Sequence, residues 1–482
     1  MQILAVASEM YPLIKTGGLA DVVGALPAAL APLGVTVTTL LPGYPAVLRA
    51  VGKGKVVARY DDLFGGPARL LKVNHGGVPL LVLDAPHHFV RDGGAYGDAV
   101  GRDWPDNWRR FAALSSVAAD IAGGAIKDYQ PALVHAHDWQ AALTPAYMRH
   151  GRAHAVPAVM TIHNIAFQGR FDPSIFPILG LPLSAFGVDG VEYYGGVGYL
   201  KAGLFYADAI TTVSPAYAAE ILSPAQGMGL QGLLNTRSDR LHGILNGIDT
   251  SEWNPATDAL IPNRYSPRAM AGRRRDRRAL EKRFGLEPGD GPIFAVVSRL
   301  TWQKGMDILA DAIPDLVAAG GRLAVLGSGD RGLENALLGA ADRHAGRVGV
   351  VIGYDEALSH LLQAGADAIL VPSRFEPCGL TQMYALRYGC VPVVARTGGL
   401  GDTVIDANEA AIAAGVATGI VHEAGSGSAL RRAILRAVAL HRQHDLWAAM
   451  QRAGMKADFS WGCSAGRYAA LYRSLIEQPG TA

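Results

Sequence analysis

A phrase with two glycines occurs near both ends of the chain, and its backbone N–H groups could bind an anion. The first copy, at residues 15–22, reads Lys-Thr-Gly-Gly-Leu-Ala-Asp-Val, and the second, at residues 397–404, reads Thr-Gly-Gly-Leu-Gly-Asp-Thr-Val. Each copy follows a strand-like run and precedes a helical pattern, and the first turn of a helix leaves backbone donors unpaired. Only the first copy is directly preceded by a lysine, Lys15. The pattern indicates two α/β halves that share one anionic ligand.

Two cations lie five residues apart in the run 298–305, which reads Ser-Arg-Leu-Thr-Trp-Gln-Lys-Gly. Arg299 offers a planar fork and Lys304 a movable point charge, so both can converge on one diphosphate. Glu376 follows a later strand-like run and would place a carboxylate near them. Surface cations and a carboxylate at a helix terminus are the structural alternative. The position of all three after strand-like runs favours a binding site.

Histidines and an aspartate end two strand-like runs of the first half. His135, His137 and Asp138 close one run, and His163 closes the next. The first group suggests a metal site, but the sequence has no second cluster with metal-ligand spacing. Ligands of parallel sheets bind beyond the carboxyl ends of the strands. Asp138 and His163 are therefore better interpreted as binding or catalytic residues, and no metal site is predicted.

A glycine-rich run at residues 327–332 offers a competing function. It reads Gly-Ser-Gly-Asp-Arg-Gly and matches the dinucleotide fingerprint in form. That fingerprint belongs in the first strand–helix turn of its domain, whereas this run follows the second strand-like run of its half. The negative charge of Asp330 would also repel a pyrophosphate. A nicotinamide-dependent oxidoreductase is therefore the less favoured alternative.

Short, nearly continuous apolar runs alternate with helical patterns and would position all of these residues. Such runs suit strands that are buried on both faces, as in parallel sheets covered by helices. We therefore predict an α/β protein with two Rossmann-like, doubly wound domains facing across a cleft, at residues 1–243 and 271–456, joined by a linker at 244–270. The predicted strands lie at residues 3–8, 35–41, 80–84, 133–137, 158–163, 209–213, 293–298, 322–326, 348–352, 368–371 and 391–395.

Composition narrows the class of protein. The 482 residues include 44 basic and 42 acidic side chains, a formal charge of +2, which argues against nucleic-acid and membrane-surface partners. The densest basic run, residues 273–278, is expected on a solvated helix face. The N-terminus lacks the basic region of a signal peptide, and three cysteines are too few for a disulfide framework. We expect a cytoplasmic protein with reduced thiols.

The order of several motifs resembles the bacterial glycogen synthases, retaining GT-B glucosyltransferases that use ADP-glucose and are related to plant starch synthases. The resemblance covers almost the whole chain and is more specific than any single motif. Its motifs occupy residues 8–12, 15–19, 137–140, 161–164, 246–249, 298–305, 375–380, 396–400 and 459–461. It implies transfer of glucose to the non-reducing 4-hydroxyl of an α-1,4-glucan such as glycogen, without a cofactor or a metal.

The resemblance also implies roles for individual residues. Arg299 and Lys304 would hold the diphosphate, and Asp138 would lie at the reaction centre on the acceptor side. The other implied donor contacts are Lys15, Gly17 and Gly18, which would close on the donor from the first domain; Glu376, His163, Asn246, Cys378, Gly379, Leu380 and Thr381 on the glucose; and Gly353 and Tyr354 beside the adenine. A final segment, residues 457–482, is expected to form a helix that crosses back to the first domain.

Two further alternatives stay open at this point. UDP-glucose could replace ADP-glucose, because the diphosphate contacts would be the same. A glucan-binding scaffold with the same fold would bind polysaccharide without releasing a nucleotide, although it would leave the two cations and Glu376 without a purpose.

Overall fold

The computed structural model describes residues 1–98 and 100–477 and divides the chain into two compact units. The first unit contains residues 1–246 and the C-terminal residues from Trp461 onward, and the second contains residues 247–460. The stretch 247–270, which the sequence places in a linker, thus groups with the second unit. The predicted final segment begins four residues before the boundary that the structure gives.

The first unit is built on a nine-stranded sheet in the order β12-β11-β7-β6-β1-β2-β5-β4-β3. Its strands pair in parallel except for β3 with β4 and β4 with β5, which are antiparallel. A separate antiparallel sheet has the order β8-β10-β9. The strands are β1 Gln2–Val6, β2 Thr36–Pro42, β3 Lys55–Tyr60, β4 Ala68–His75, β5 Val78–Asp84, β6 Leu133–His137, β7 Ala158–Ile162, β8 Arg170–Phe171, β9 Glu192–Tyr193, β10 Gly196–Gly198, β11 Ala209–Thr212 and β12 Leu241–Gly243.

Helices connect these strands, and several begin directly beyond a strand end. They are α1 Gly18–Leu30, α2 Pro45–Val51, α3 Pro86–Phe89, α4 Asn107–Ala122, α5 Asp138–Ala141, α6 Thr144–Arg149, α7 Tyr199–Tyr206, α8 Pro215–Glu220 and α9 Gln231–Thr236. Short 3₁₀ helices in this unit lie at Ala31–Leu33, Pro173–Ile178, Leu183–Ala185 and Ser238–Arg240.

The second unit has a six-stranded, all-parallel sheet in the order β15-β14-β13-β16-β17-β18. Its strands are β13 Ile293–Val297, β14 Arg322–Gly327, β15 Val348–Ile352, β16 Ala368–Val371, β17 Val391–Ala395 and β18 Ile420–His422. Its helices are α10 Arg273–Phe284, α11 Met306–Ala318, α12 Arg331–Arg343, α13 Glu356–Gly365, α14 Thr381–Tyr388, α15 Gly398–Thr403, α16 Glu409–Ala413, α17 Gly427–His441 and α18 His444–Lys456, with a 3₁₀ turn at Met270–Gly272.

The last helix, α19 (Trp461–Glu477), packs within the first unit. Trp461 and Tyr468 are buried in the same apolar cluster as Ile3 and Val22 of β1 and α1. The Tyr472 hydroxyl lies 2.8 Å from His135 Nδ1 on β6. The first unit therefore needs both ends of the chain to complete its core.

The predicted α/β class is confirmed, and every apolar run predicted as a strand forms one. The runs are buried on both faces, as parallel strands require: all five residues of β6, β7 and β17 are buried. Seven strands were missed. β3 has no fully buried residue and β4 mixes buried and exposed residues at the antiparallel edge, and β8, β9, β10, β12 and β18 have two or three residues each.

The expectation for the basic run 273–278 is partly wrong. Arg273 is buried in the second unit, where its guanidinium donates to the carbonyl oxygens of Tyr388 and Ala366. Arg277 pairs with Asp367, whose pKa is lowered to about 2 because hydrogen bonds and neighbouring positive charges outweigh the opposing effect of burial. Neutral carbonyl acceptors can satisfy a buried guanidinium, and sequence alone does not show them.

None of the helices in the described residues combines the length and the apolar character that crossing a bilayer requires.

Candidate functional site

The predicted site residues follow parallel strands in each unit. In the first unit they follow β1, β6 and β7, which are neighbours in the sheet, and Asn246 follows β12. In the second unit they follow β13, β15 and β16. The connections reverse direction at β1 and at β13, and such switch points are where ligands bind in open α/β sheets. Both cationic turns, at residues 15–18 and 299–305, follow these two strands.

The first glycine turn is held by Glu9, a residue that sequence reasoning left without a role. The Glu9 carboxylate accepts hydrogen bonds from the backbone N–H groups of Thr16 and Gly17, and its other oxygen accepts one from the Tyr96 hydroxyl. Glu9 is only 3% exposed, and burial raises the pKa of its carboxyl group. Two of the donors expected to meet an anionic ligand therefore already bind an anion that belongs to the protein.

The remaining groups of that turn stay accessible. Lys15 and both glycines are exposed, and a Cβ added at Gly17 or Gly18 would have no heavy atom within 4 Å apart from chain neighbours and α1. The Lys15 ammonium lies 2.8 Å from an Asp21 carboxylate oxygen. The turn therefore offers open space, a cation and the N-terminus of α1, which begins at Gly18.

Asp138 and His163 lie together beyond β6 and β7. The Asp138 carboxylate accepts the backbone N–H of His163 at 2.7 Å and that of Asn164 at 3.4 Å. Asp138 has φ +55°, a left-handed conformation that non-glycine residues rarely adopt and that is over-represented at functional sites. Burial raises the pKa of Asp138 to about 7. The carboxyl group can thus change its charge near neutral pH.

His163 is oriented by a second histidine. His137 Nδ1 lies 3.0 Å from His163 Nε2, so one ring nitrogen donates and the other accepts. Burial lowers the pKa of His163 to about 3 and that of His137 well below its usual value. Both rings are neutral at physiological pH. His135 lies one layer deeper, between the hydroxyls of Thr161 and Tyr472, and is part of the core.

Asn246 is the last residue of the first unit before the chain enters the second. It is 6% exposed, and its side-chain oxygen has no hydrogen-bond partner within residues 1–98 and 100–477. A buried amide oxygen without a partner is costly, and it is satisfied when a ligand or water donates to it.

In the second unit the structure brings Lys304 and Glu376 into direct contact. The Lys304 ammonium and a Glu376 carboxylate oxygen form a salt bridge, and the Ser373 hydroxyl donates to the same oxygen at 2.9 Å. Both side chains are largely buried, with 16% and 11% of their surfaces exposed. Arg299 follows the same strand as Lys304, is exposed, and forms no salt bridge within the described residues.

The turn after Glu376 leads into helix α14, whose N-cap residue, Leu380, makes no side-chain cap hydrogen bond. Cys378 is buried, Gly379 has φ +72°, and Leu380 precedes α14, which begins at Thr381. The Gln382 side chain donates to the carbonyl oxygens of Cys378 and Gly379 at 3.1 and 2.9 Å. This bracing fixes the turn and aims the α14 N-terminus, which carries a partial positive charge, at the same sheet edge.

The second glycine phrase packs behind that turn. A Cβ at Gly398 would overlap the carbonyl oxygen of Glu376, and one at Gly399 would overlap that of Cys378. The Gly399 N–H lies 3.2 Å from the carbonyl oxygens of both Glu376 and Pro377. These glycines therefore allow close backbone packing.

The remaining predicted residues follow β15. Gly353 has φ +133° and open space where a side chain would lie, and its N–H donates to the Gly327 carbonyl at 3.0 Å. Tyr354 is 77% exposed, and its hydroxyl bonds to Glu356. An exposed ring above an unobstructed backbone can contact a planar ligand.

The glycine run 327–332 does not form a pyrophosphate cradle. The Asp330 carboxylate caps α12 by accepting the N–H groups of Gly332 and Leu333 at 2.8 and 3.2 Å. The Gly329 N–H donates to Glu334 at 2.8 Å. The donors that a dinucleotide would need are occupied by carboxylates. Within residues 1–98 and 100–477, no group of histidine, cysteine and acidic residues could hold a metal ion.

Three features of the site escaped sequence reasoning: the bonds of Glu9, the His137–His163 contact, and the direct pairing of Lys304 with Glu376. The sequence indicated only that these residues follow predicted strands, and not which contacts they make. Which carboxylate meets which donor depends on loop conformations that local sequence does not specify.

Almost the whole chain matches known proteins in sequence. Residues 2–236 match the family model described as the starch synthase catalytic domain, and residues 277–453 match the model described as glycosyl transferases group 1. The chain is 62% identical over 478 residues to the glycogen synthase of Mesorhizobium japonicum. It is 62% identical over 477 residues to glycogen synthase 1 of Rhizobium meliloti. Each alignment covers 99% of both chains.

Solved structures agree with the fold. The catalytic domain of starch synthase IV from Arabidopsis thaliana, bound to ADP and acarbose, matches with a TM-score of 0.87 and 31% identity over 99% of each chain. A sucrose-phosphate synthase from Thermosynechococcus elongatus matches at 18% identity with a TM-score of 0.59, which supports the fold alone.

Proposed function

The chain belongs to the glycogen and starch synthase family of glycosyltransferases, and we propose that its glucosyl donor is ADP-glucose. The family establishes glucosyl transfer from a nucleotide sugar to a glucan in glycogen synthesis. The further proposal is that glucose moves to the 4-hydroxyl at the non-reducing end of an α-1,4-glucan with retention of configuration, in the cytoplasm. The ADP bound to the starch synthase IV catalytic domain supports this choice of donor over UDP-glucose.

The observation that carries the proposal is the Lys304–Glu376 pair beside the α14 N-terminus. The departing ADP gains negative charge as its bond to glucose breaks. A fixed ammonium, an exposed guanidinium from Arg299 and helix N–H groups can stabilise that charge as it develops. The salt bridge to Glu376 orders Lys304 before the donor binds. No metal is needed to neutralise the diphosphate in this scheme.

We assign the glucose to Glu376, to the turn from Cys378 to Thr381, and to His163 and Asn246 of the first unit. The neutral His163 ring can donate or accept one hydrogen bond to a sugar hydroxyl, and the unpartnered Asn246 oxygen can accept another. We assign Lys15 and the 17–18 turn to the diphosphate, and Gly353 and Tyr354 to the adenine.

For the chemical step we propose attack from the face that the phosphate leaves. The bond between glucose C1 and the phosphate oxygen breaks, the bond between C1 and the acceptor O4 forms, and the 4-hydroxyl proton passes to the departing phosphate. Asp138 would lie at the acceptor side and influence the charge of the transition state. Trapping of a covalent glucosyl-enzyme on Asp138 or Glu376 would overturn this step in favour of a double displacement.

The test measures nucleotide release from ADP-glucose and from UDP-glucose, with and without glycogen. We expect glycogen-dependent release of ADP, and a roughly 10²–10³-fold loss of kcat in both Lys304→Ala and Arg299→Ala. Lys282→Ala and Arg442→Ala remove exposed cations of the same unit and should leave kcat unchanged. Faster release of UDP would reverse the donor assignment, and a near-normal kcat in a folded Lys304→Ala variant would refute the diphosphate assignment.

A scaffold without activity predicts the opposite result, in which glycogen binds but neither nucleotide is released.

A further inference from the structure

Trp302 lies in the turn after β13, two residues before Lys304, and is 61% exposed. An exposed apolar residue is common in soluble proteins and means little by itself. What distinguishes Trp302 is that one arginine side chain contacts both its ring and its backbone.

Arg374 is the residue that holds Trp302. Its guanidinium carbon lies 4.3 Å from the centre of the indole ring, within the range of a cation–π contact. The same guanidinium donates to the Trp302 carbonyl oxygen at 2.7 Å and to both carboxylate oxygens of Asp307 at 2.7 Å each. A bidentate arginine is fixed in orientation, so the indole stacked on it is restrained by the contact.

Further bonds place this indole in register with the charged pair. The backbone N–H of Arg374 donates to the backbone carbonyl oxygen of Gln303 at 2.9 Å. The side-chain amide of Gln303 donates to the backbone carbonyl oxygen of Phe375 at 3.3 Å. These bonds tie the Lys304 turn to the segment that carries Glu376. The indole, the ammonium and the carboxylate therefore belong to one cross-linked pair of turns at one sheet edge.

We propose that Trp302 is a stacking platform for a glucose unit of the α-glucan acceptor. This proposal rests on the proposed function. A pyranose ring has apolar C–H faces with hydroxyls around its rim, so a flat indole with polar neighbours matches it. Because the indole is already restrained, binding loses less of its side-chain entropy. The assignment gives the donor-binding unit a direct contact with the acceptor.

Steady-state kinetics of Trp302→Ala and Trp302→Phe test the contact. We expect Trp302→Ala to raise the KM for glycogen about 3- to 10-fold, the range of one aromatic contact. The KM for ADP-glucose and the kcat at saturating glycogen should stay within about twofold, and phenylalanine should restore part of the loss. Leu183→Ala, which removes an 84%-exposed leucine from the first unit, should change nothing.

A rise in the KM for ADP-glucose alone would identify Trp302 as a nucleotide contact and overturn the proposal. Unchanged KM and kcat values in a Trp302→Ala variant with a normal melting curve would also overturn it. Migration through glycogen-containing native gels separates this question from the donor assignment. In a Lys304→Ala background, adding Trp302→Ala should reduce the retardation by glycogen. Equal retardation of the single and double variants would overturn the proposal, whatever donor the enzyme uses.

Discussion

The two turns that share a Thr-Gly-Gly-Leu phrase use their glycines in opposite ways. At Gly17 and Gly18 the space beside the backbone is open, and the turn is exposed. At Gly398 and Gly399 that space is filled by main-chain oxygens, and the turn is buried. The first turn leaves room for a ligand, and the second lets one loop pack against another.

Both turns depend on a glutamate, but on different parts of it. Glu9 binds the first turn through its side-chain carboxylate, which accepts two backbone N–H groups. Glu376 contacts the second turn through its main-chain carbonyl, which lies 3.2 Å from the Gly399 nitrogen. The side chain of Glu376 is therefore available to Lys304. Identical local sequence thus leaves open space beside the backbone in one unit and supports the charged pair in the other.

The largest effect is expected from Gly399→Ala. The new methyl group would overlap the Cys378 carbonyl oxygen, and backbone cannot move aside as a flexible side chain can. Displacing this turn moves Glu376 and the α14 N-terminus together. We expect kcat to fall at least about 100-fold, and the free energy of unfolding to fall by about 1–3 kcal/mol, measured by ADP release and by urea denaturation.

Gly401→Ala is the matched control, because it lies in the same short helix with no heavy atom within 4 Å of an added Cβ, apart from chain neighbours and the helix's own backbone. It should fold and turn over normally. Gly17→Ala should likewise leave the free energy of unfolding unchanged. The proposed difference between the two glycine turns would be contradicted if Gly17→Ala destabilised the protein as much as Gly399→Ala does.

The sequence could predict the strands and their carboxyl ends because continuous apolar runs report burial on both faces. It could therefore predict that Asp138, His163, Arg299, Lys304 and Glu376 lie at sheet edges. It could not distinguish the two glycine turns, since the difference comes from the carbonyl groups of Glu376 and Cys378, which meet the second turn only after folding. The bond from Tyr96 to Glu9 joins residues 87 positions apart and leaves no local signal.

Glu9→Ala gives the next largest effect. It removes the acceptor for two N–H groups of the first turn, so the turn loses its fixed position and the Tyr96 hydroxyl loses its carboxylate acceptor. We expect the KM for ADP-glucose to rise about 10-fold, equivalent to about 1.4 kcal/mol. The kcat should change less, because the charged pair of the second unit is untouched.

Glu9→Gln tests whether acceptor geometry matters more than charge. The glutamine oxygen can still accept both backbone N–H groups, and most of the affinity for ADP-glucose should return. An equal KM in the alanine and glutamine variants would mean that the charge of Glu9 is what the first turn requires. An unchanged KM in both would separate the first turn from donor binding.

The smallest effect concerns pH and isolates Glu9 within the first turn. Burial raises the pKa of its carboxyl above the ordinary value of 4.5, so the folded state holds the proton more tightly than the unfolded state. Between those two pKa values the unfolded state binds fewer protons, and the stability of the wild type therefore falls as pH rises.

Glu9→Gln removes this titration. The difference in free energy of unfolding, variant minus wild type, should increase from below pH 4.5 upward and level off above the folded pKa. A difference that stays flat across this range, measured by urea denaturation in a series of buffers, would show that the N–H groups of Thr16 and Gly17 compensate fully for burial of the charge.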